Sequence, residues 1–308
     1  MGCNMKNAVY VHQDYDIEEL KRMLKHAVLA FDTNALLGLY SYSPKILQDI
    51  KGLLTKDTVK NRLFVPYHTA EEFYKNKDRV IQRVQSIYSS KLGGVTSAIN
   101  ALQQDINKTH FLSDWVVAAK TELQKAVETM RETYKAQEVD FDKTSETIEE
   151  IFYDGCVGHE LENSEFYENE FEKRLKYDIP PGITDSQKKQ NKSGDFIIWS
   201  ELLGKAKVEK TDIIFVTNEK KFDWWDKCDK DRPNKQLLVE FNKKTGQRCY
   251  FFNMDSFIRS LAEEQGYALE YDVAIPIENT EYDTMLPEEQ VIEDKTVAEE
   301  KNFGDQAG

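Results

Sequence analysis

Unbroken apolar runs punctuate an otherwise polar chain at residues 27–31, 63–66, 213–216 (within an expected strand over 212–217) and 249–252. Each is four or five residues long, free of internal charge and rich in Val, Ile and aromatic side chains, which predicts strands buried on both faces. Between them, apolar positions recur at helical spacing. Ile17, Leu20 and Leu24 predict a helix over 16–26. A second helix is expected to open at Asn34, and a third at Ser43-Pro44, where serine suits the cap and proline the first helical position. Thr69 to Phe73 continues as helix after Pro66. An amphipathic helix is expected over 195–207 and a closing one over 256–264. Strand followed by helix, repeated, is the pattern of a parallel α/β sheet.

That rhythm stops between Lys75 and Glu146. Val80, Ile81, Val84, Ile87 and Tyr88 keep helical spacing, as do Val116, Ala119, Leu123, Val127, Met130 and Tyr134. Breaks are expected at Gly93-Gly94 and around Lys108-Thr109-His110. The pattern predicts a helical hairpin or small bundle packed against the sheet, an insertion over about 75–178. An acidic, aromatic stretch with helical segments follows at 148–174, and Pro180-Pro181-Gly182 forces a turn. The expected layout is one domain over 1–269 and a polar tail over 270–308, too poor in apolar residues to fold alone.

At 308 residues, 40% of them hydrophobic, the chain can bury a substantial core. Its longest apolar runs fall far short of a membrane span, and Met1 to Lys6 lacks an apolar signal region, so a cytoplasmic protein is expected. Cys3, Cys156, Cys228 and Cys249 are widely separated, with no C-x-x-C pair and no clustered histidine, which argues against structural zinc. The net charge of −14 speaks against nucleic acid until it is divided. Residues 270–308 hold twelve acids and two lysines, a charge of −10, leaving −4 for the rest. Within that remainder, Lys188, Lys189, Lys192, Lys220 and Lys221 stand close in sequence to isolated acids, a basic rim suited to a phosphate backbone.

Those acids are the candidate chemistry. Asp32, Glu72, Asp195, Glu219 and Asp223 each sit where a strand runs out or a helix begins. In an open parallel sheet the strand ends share one edge, where ligands bind. Two carboxylates about 4 Å apart repel by roughly 4 kcal/mol at an effective dielectric of 20, so their convergence calls for a hard cation. Oxygen-only donors suit Mg²⁺ or Mn²⁺. Asp32 and Asp195 also read as ordinary helix caps. Asn34 breaks the D-x-D pattern of aspartyl phosphatases, and no Gly-rich phosphate loop is present.

Taken in order, Asp32-Thr33-Asn34, Glu72-Phe73, Gly194-Asp195-Phe196-Ile197-Ile198-Trp199 and Thr217-Asn218-Glu219 resemble the PIN-domain nucleases. Pro180 to Asp185 and the run from Phe215 to Trp225 resemble more specifically a larger bacterial PIN-like family with a helical insertion. The resemblance covers about Val28 to Ile258. It implies a three-layer α/β/α fold around a central parallel sheet, and a Mg²⁺- or Mn²⁺-dependent endoribonuclease acting on single-stranded RNA, with a place in bacterial stress or phage defence. Asp32, Glu72, Asp195, Glu219 and Asp223 would be catalytic metal ligands, Asp185 would add a further one, and Glu71 would point outward. Asn34, Thr217, Asn218, Lys188, Lys192 and Lys220 would face substrate. Glu219 stands where the family usually has Asp, and Ile183 where an aromatic is common. A nucleic-acid-binding module with weak or lost cleavage and a DNA-directed nuclease are the alternatives, with self-association or a partner protein left open. Trp199, Trp224 and Trp225 suit base stacking but fit a core better.

Overall fold

The computed structural model describes residues 16–107, 113–136, 140–185, 191–227 and 232–270. Helix α1 (Ile17–His26), with Asp16 as its N-cap, leads into β1 (Val28–Phe31). Helix α2 (Thr33–Gly38), a 3-10 turn (Leu39–Ser41), α3 (Pro44–Leu54) and α4 (Asp57–Lys60) carry the chain to β2 (Leu63–Phe64). Then come α5 (Tyr67–Asn107), α6 (Ser113–Ala136), α7 (Phe141–Ile151), α8 (Ser164–Lys176) and α9 (Gly194–Glu209). β3 (Ile213–Val216), α10 (Lys235–Thr245), β4 (Cys249–Phe252) and α11 (Met254–Glu264) close the described fold.

All four strands run parallel, in the order β2-β1-β3-β4. Phe31 stands opposite Val216, and Val216 opposite Phe252. The chain leaves β1 toward β2 on one side and leaves β3 toward β4 on the other. Such divergence opens a crevice beyond the carboxyl ends of the two central strands.

Helices cover both faces, giving three α/β/α layers. Val28, Ala30, Ile213, Phe215 and Phe251 share one core with Trp199 and Leu202 of α9 and with Leu237 and Phe241 of α10. On the opposite face Phe31 meets Phe152 and Phe257 edge-on, and Phe252 packs on Phe257 as well. Strands buried on both sides need no polar face, hence the unbroken apolar runs. Arg174 of α8, itself buried, ties α8 to α10: its guanidinium grips both oxygens of Glu240 on α10 at 2.7 Å and donates to the Pro180 carbonyl.

Several expectations are corrected. α5 runs straight through Gly93-Gly94, where a break was predicted. Two helical glycines cost about 1 kcal/mol each relative to alanine, and packing of α5 on α6 outweighs that. The α6 stripe is only partly inward: Val127 is buried, whereas Leu123 and Met130 are exposed. α6 packs on α5, while α5 packs on α2 and α9. α9 is less cleanly amphipathic than expected: buried Phe196, Ile198, Trp199, Leu202, Leu203 and Ala206 share one side, but Glu201 is buried as well and Val208 is exposed on the other side. The helix α10 had no counterpart in the predicted elements, although Asn234 caps it and Gly246, at φ +73°, ends it. The predicted break at residues 108–110 and the tail beyond Glu270 lie outside the described residues. Among those described, Cys156 and Cys249 are buried free thiols, and no helix is long and apolar enough to cross a membrane.

Candidate active site

The crevice is built from the strand ends outward. Asp32 follows β1, and its backbone N–H donates to the Val216 carbonyl at 2.9 Å, extending the ladder one residue past the strand. It does cap α2, accepting the Thr33 N–H on Oδ1 at 2.8 Å, which leaves Oδ2 to accept the Thr217 hydroxyl at 2.6 Å. Thr217 follows β3 directly, so this bond joins the ends of the two central strands. The Thr33 hydroxyl donates in turn to Glu72 Oε2, 2.6 Å away on α5. Glu72 Oε1 accepts the Asn191 amide and lies 3.6 Å from His68 Nε2, one turn earlier on the same helix. His68 Nε2 is also 3.1 Å from Asn191 Oδ1.

Facing this half is a second group. Asp185 ends the proline-rich turn, Asp195 lies in the first turn of α9, and Glu219 lies in the loop after β3. Glu219 Oε1 accepts the backbone N–H groups of Lys220 and Lys221 at 2.7 and 3.0 Å. The Lys221 ammonium reaches across: its Nζ is 3.2 Å from Asp185 Oδ2, 3.2 Å from Glu219 Oε2 and 3.6 Å from Asp195 Oδ2. Asp195 Oδ2 is buried and makes no hydrogen bond.

The charges of the two halves act on one another. Burial pushes the Asp195 carboxyl up to about 8, against the pull of Lys221, and Asp185, Glu219 and Asp32 add to the rise. Asp32 is raised to about 7, first by burial and then by Glu219 and Glu72, with the Thr217 hydrogen bond opposing. Burial works to raise Glu72 too, but bonds from His68, Thr33 and Asn191 outweigh it and hold that carboxyl below its ordinary value. Behind them Glu201 of α9 accepts the His68 backbone N–H at 3.2 Å, and burial raises it to about 7. Its Oε2 is buried without a hydrogen-bond partner.

Asp32, Glu72, Asp185, Asp195 and Glu219 are thus brought to one edge. Asp223 contacts the turn before Asp185 through Oδ2, while its Oδ1 is buried without a hydrogen-bond partner. Fully buried, it accepts both the backbone N–H and the hydroxyl of Thr184 on Oδ2, at 2.9 and 3.0 Å, and so fixes the turn that carries Asp185. Asn34 and Asn218 are engaged within the protein: Asn34 Oδ1 accepts the Asn218 N–H at 2.8 Å, and Asn218 Oδ1 accepts the Met254 N–H at 3.0 Å. Lys192 and Lys220 are exposed, and Lys188 lies outside the described residues. Glu71 is more exposed than Glu72 and stands 4.0 Å from Lys75. Trp199, Trp224 and Trp225 are buried in the core and offer no face for base stacking. Lys221 was expected on a basic rim around the acids rather than among them, and His68, Asn191 and Glu201 were not assigned to the site. Only the four-residue spacing of His68 and Glu72 on one helix face hints at it. Among the described residues, no three His, Cys, Asp or Glu side chains are placed to hold a metal ion together.

A four-stranded parallel sheet between helical layers, with acids gathered beyond its central strands, defines a three-layer α/β/α architecture. The PIN-like domain family model matches residues 28–237, more than half of the chain, and the protein belongs to that family. No curated protein and no solved structure matches it.

Proposed function

We propose that the protein is a divalent-metal-dependent endoribonuclease, with Asp32, Glu72, Asp195 and Glu219 as metal ligands and Asp185 as a contributor. The observation that carries this reading is the Thr217–Asp32 hydrogen bond. It joins the ends of β1 and β3 at the topological switch point, and acids from three further segments face that spot. The donors are all hard oxygens, as Mg²⁺ and Mn²⁺ require. Asp195 Oδ2 is a buried ligand atom that accepts no hydrogen bond, with the Lys221 ammonium 3.6 Å away. Bound there, a divalent ion supplies an activated water and neutralises charge on phosphate oxygens.

The rest falls to the chain itself. Thr217 and Thr33 orient Asp32 and Glu72 through their hydroxyls, and His68 with Asn191 fixes the far side of Glu72. Asn34 and Asn218 hold the loop after β3, so their part is support rather than substrate contact. Asp223 serves through Thr184, positioning Asp185. Exposed Lys192 and Lys220 flank the acids and suit backbone phosphates. Attack by water in line with the 3′ oxygen breaks the P–O3′ bond, releasing a 3′-hydroxyl on one product and leaving a 5′-phosphate on the other.

A second reading, a PIN-like module that binds nucleic acid without cutting it, is favoured by one observation: the Lys221 ammonium sits among three of the acids. Incubation with single-stranded RNA and single-stranded DNA, each with Mn²⁺ or with chelator, separates the readings. Metal-dependent cleavage of RNA that Asp195→Asn abolishes is the expected result. RNA binding without cleavage assigns the chain to the second reading, and preferential cutting of DNA reassigns its substrate.

A further inference from the structure

The Lys221 ammonium sits among three of the acids, at distances that suit an ammonium better than a metal ion. Its Nζ stands 3.2 Å from Asp185 and Glu219 and 3.6 Å from Asp195. Magnesium–oxygen distances are about 2.0–2.1 Å, so a metal centred on that point would need the carboxylate oxygens drawn inward by about 1 Å. The lysine is only 15% exposed, and its own backbone N–H is bound by Glu219 at 3.0 Å. One loop therefore supplies both an acid and the cation that neutralises it. Asp32 and Glu72 have partners of their own. They are organised by hydroxyl, amide and imidazole groups rather than by a lysine.

We infer that Lys221 is a tethered cation that takes the place of a second metal ion: Asp185, Asp195 and Glu219 balance part of their charge on its ammonium, and the crevice holds a single divalent ion between Asp195 and Glu219 on one side and Asp32 and Glu72 on the other. This rests on the metal-dependent reading proposed above and deepens it. Sites with two ions about 3.5–4 Å apart stabilise the attacking and leaving oxygens with one ion each. In this protein a primary ammonium stands on one of those two sides. Ammonium is a compact point charge with three donors, able to serve three carboxylates at once.

Counting bound ions tests the inference without reference to cleavage. Full-length protein is titrated with Mn²⁺, and free Mn²⁺ is followed by electron paramagnetic resonance. Wild type is expected to bind one ion per chain. Lys221→Met, which keeps the length of the side chain and removes its charge, is expected to bind two. Lys220→Met, on the exposed neighbour, is expected to keep the count at one. Two ions in wild type, or an unchanged count and affinity in Lys221→Met, overturns the inference while leaving the metal-dependent reading intact. No Mn²⁺ bound by either protein removes both. Should Lys221→Met fail to fold, the wild-type count decides: one ion supports the tethered cation and two exclude it.

Discussion

Thr217 shows how little chemistry is needed to align two strand ends. Its hydroxyl donates 2.6 Å to Asp32 Oδ2, and that single bond fixes which oxygen of Asp32 faces the other acids. Partners that orient a ligating carboxylate typically matter 10–100-fold in metal affinity or activity. Thr217→Val, which keeps the shape and loses the hydroxyl, is expected to cut Mn²⁺ affinity by about that factor with the fold intact by circular dichroism. The acids also set a pH dependence. Asp195 ionises near 8 in the fold, against an ordinary 3.8, and Asp32 and Glu201 near 7. Between the two values the native state keeps protons that the unfolded chain has released, so stability falls as pH rises from about 4 to 8. Glu72 and Glu240 are shifted down, and their contributions are complete above the ordinary carboxylate range. In chelator the melting midpoint is therefore expected to drop by several degrees between pH 5 and pH 8, at roughly 2–4 °C per kcal/mol. Glu201→Gln should flatten part of that slope. A level profile would contradict the burial of these acids. Asp32, Glu72, Asp195 and Glu219 were legible in the sequence because each follows a strand or opens a helix. The role of Lys221 was not, since the convergence of Asp185, Asp195 and Glu219 on one ammonium has no trace in spacing.

Elements were read best where burial leaves a simple pattern. β1, β3 and β4 are apolar throughout because helices cover both faces, and the predicted runs exceed them by at most a residue or two at an end. Helix α10 escaped because only Leu237, Leu238 and Phe241 of its eleven residues are buried, too few to mark a stripe among lysines. Gly93-Gly94 misled for the opposite reason. Local propensity argued for a break, and the long-range contact with α6 prevailed. A Cβ at either glycine meets nothing within 4 Å. Gly93→Ala and Gly94→Ala are accordingly expected to stabilise the protein by about 0.5–1 kcal/mol each, measured by urea denaturation, with no loss of RNA binding. Destabilisation would mean that α5 needs those glycines for a bend or a partner.

At the scale of the whole molecule, the match to the PIN-like family covers residues 28–237. It says nothing of how charge is distributed outside the matched residues. Of the total of −14, −10 falls on residues 270–308. A chain ended after Tyr271 is expected to bind single-stranded RNA more tightly at low salt, with the gain vanishing as salt rises, because the effect is electrostatic. Filter binding across a salt series measures it, and equal affinities at every salt would show that the acidic segment does not compete with RNA. Helix α5 bears on this scale as well. Its first turns carry His68 and Glu72, and its 41 residues extend about 60 Å at 1.5 Å per residue. It is a lever with its fulcrum at the carboxylates. A tilt of about 2° there sweeps the distant tip through roughly 2 Å over that length, so whatever grips the tip acquires mechanical purchase on Glu72.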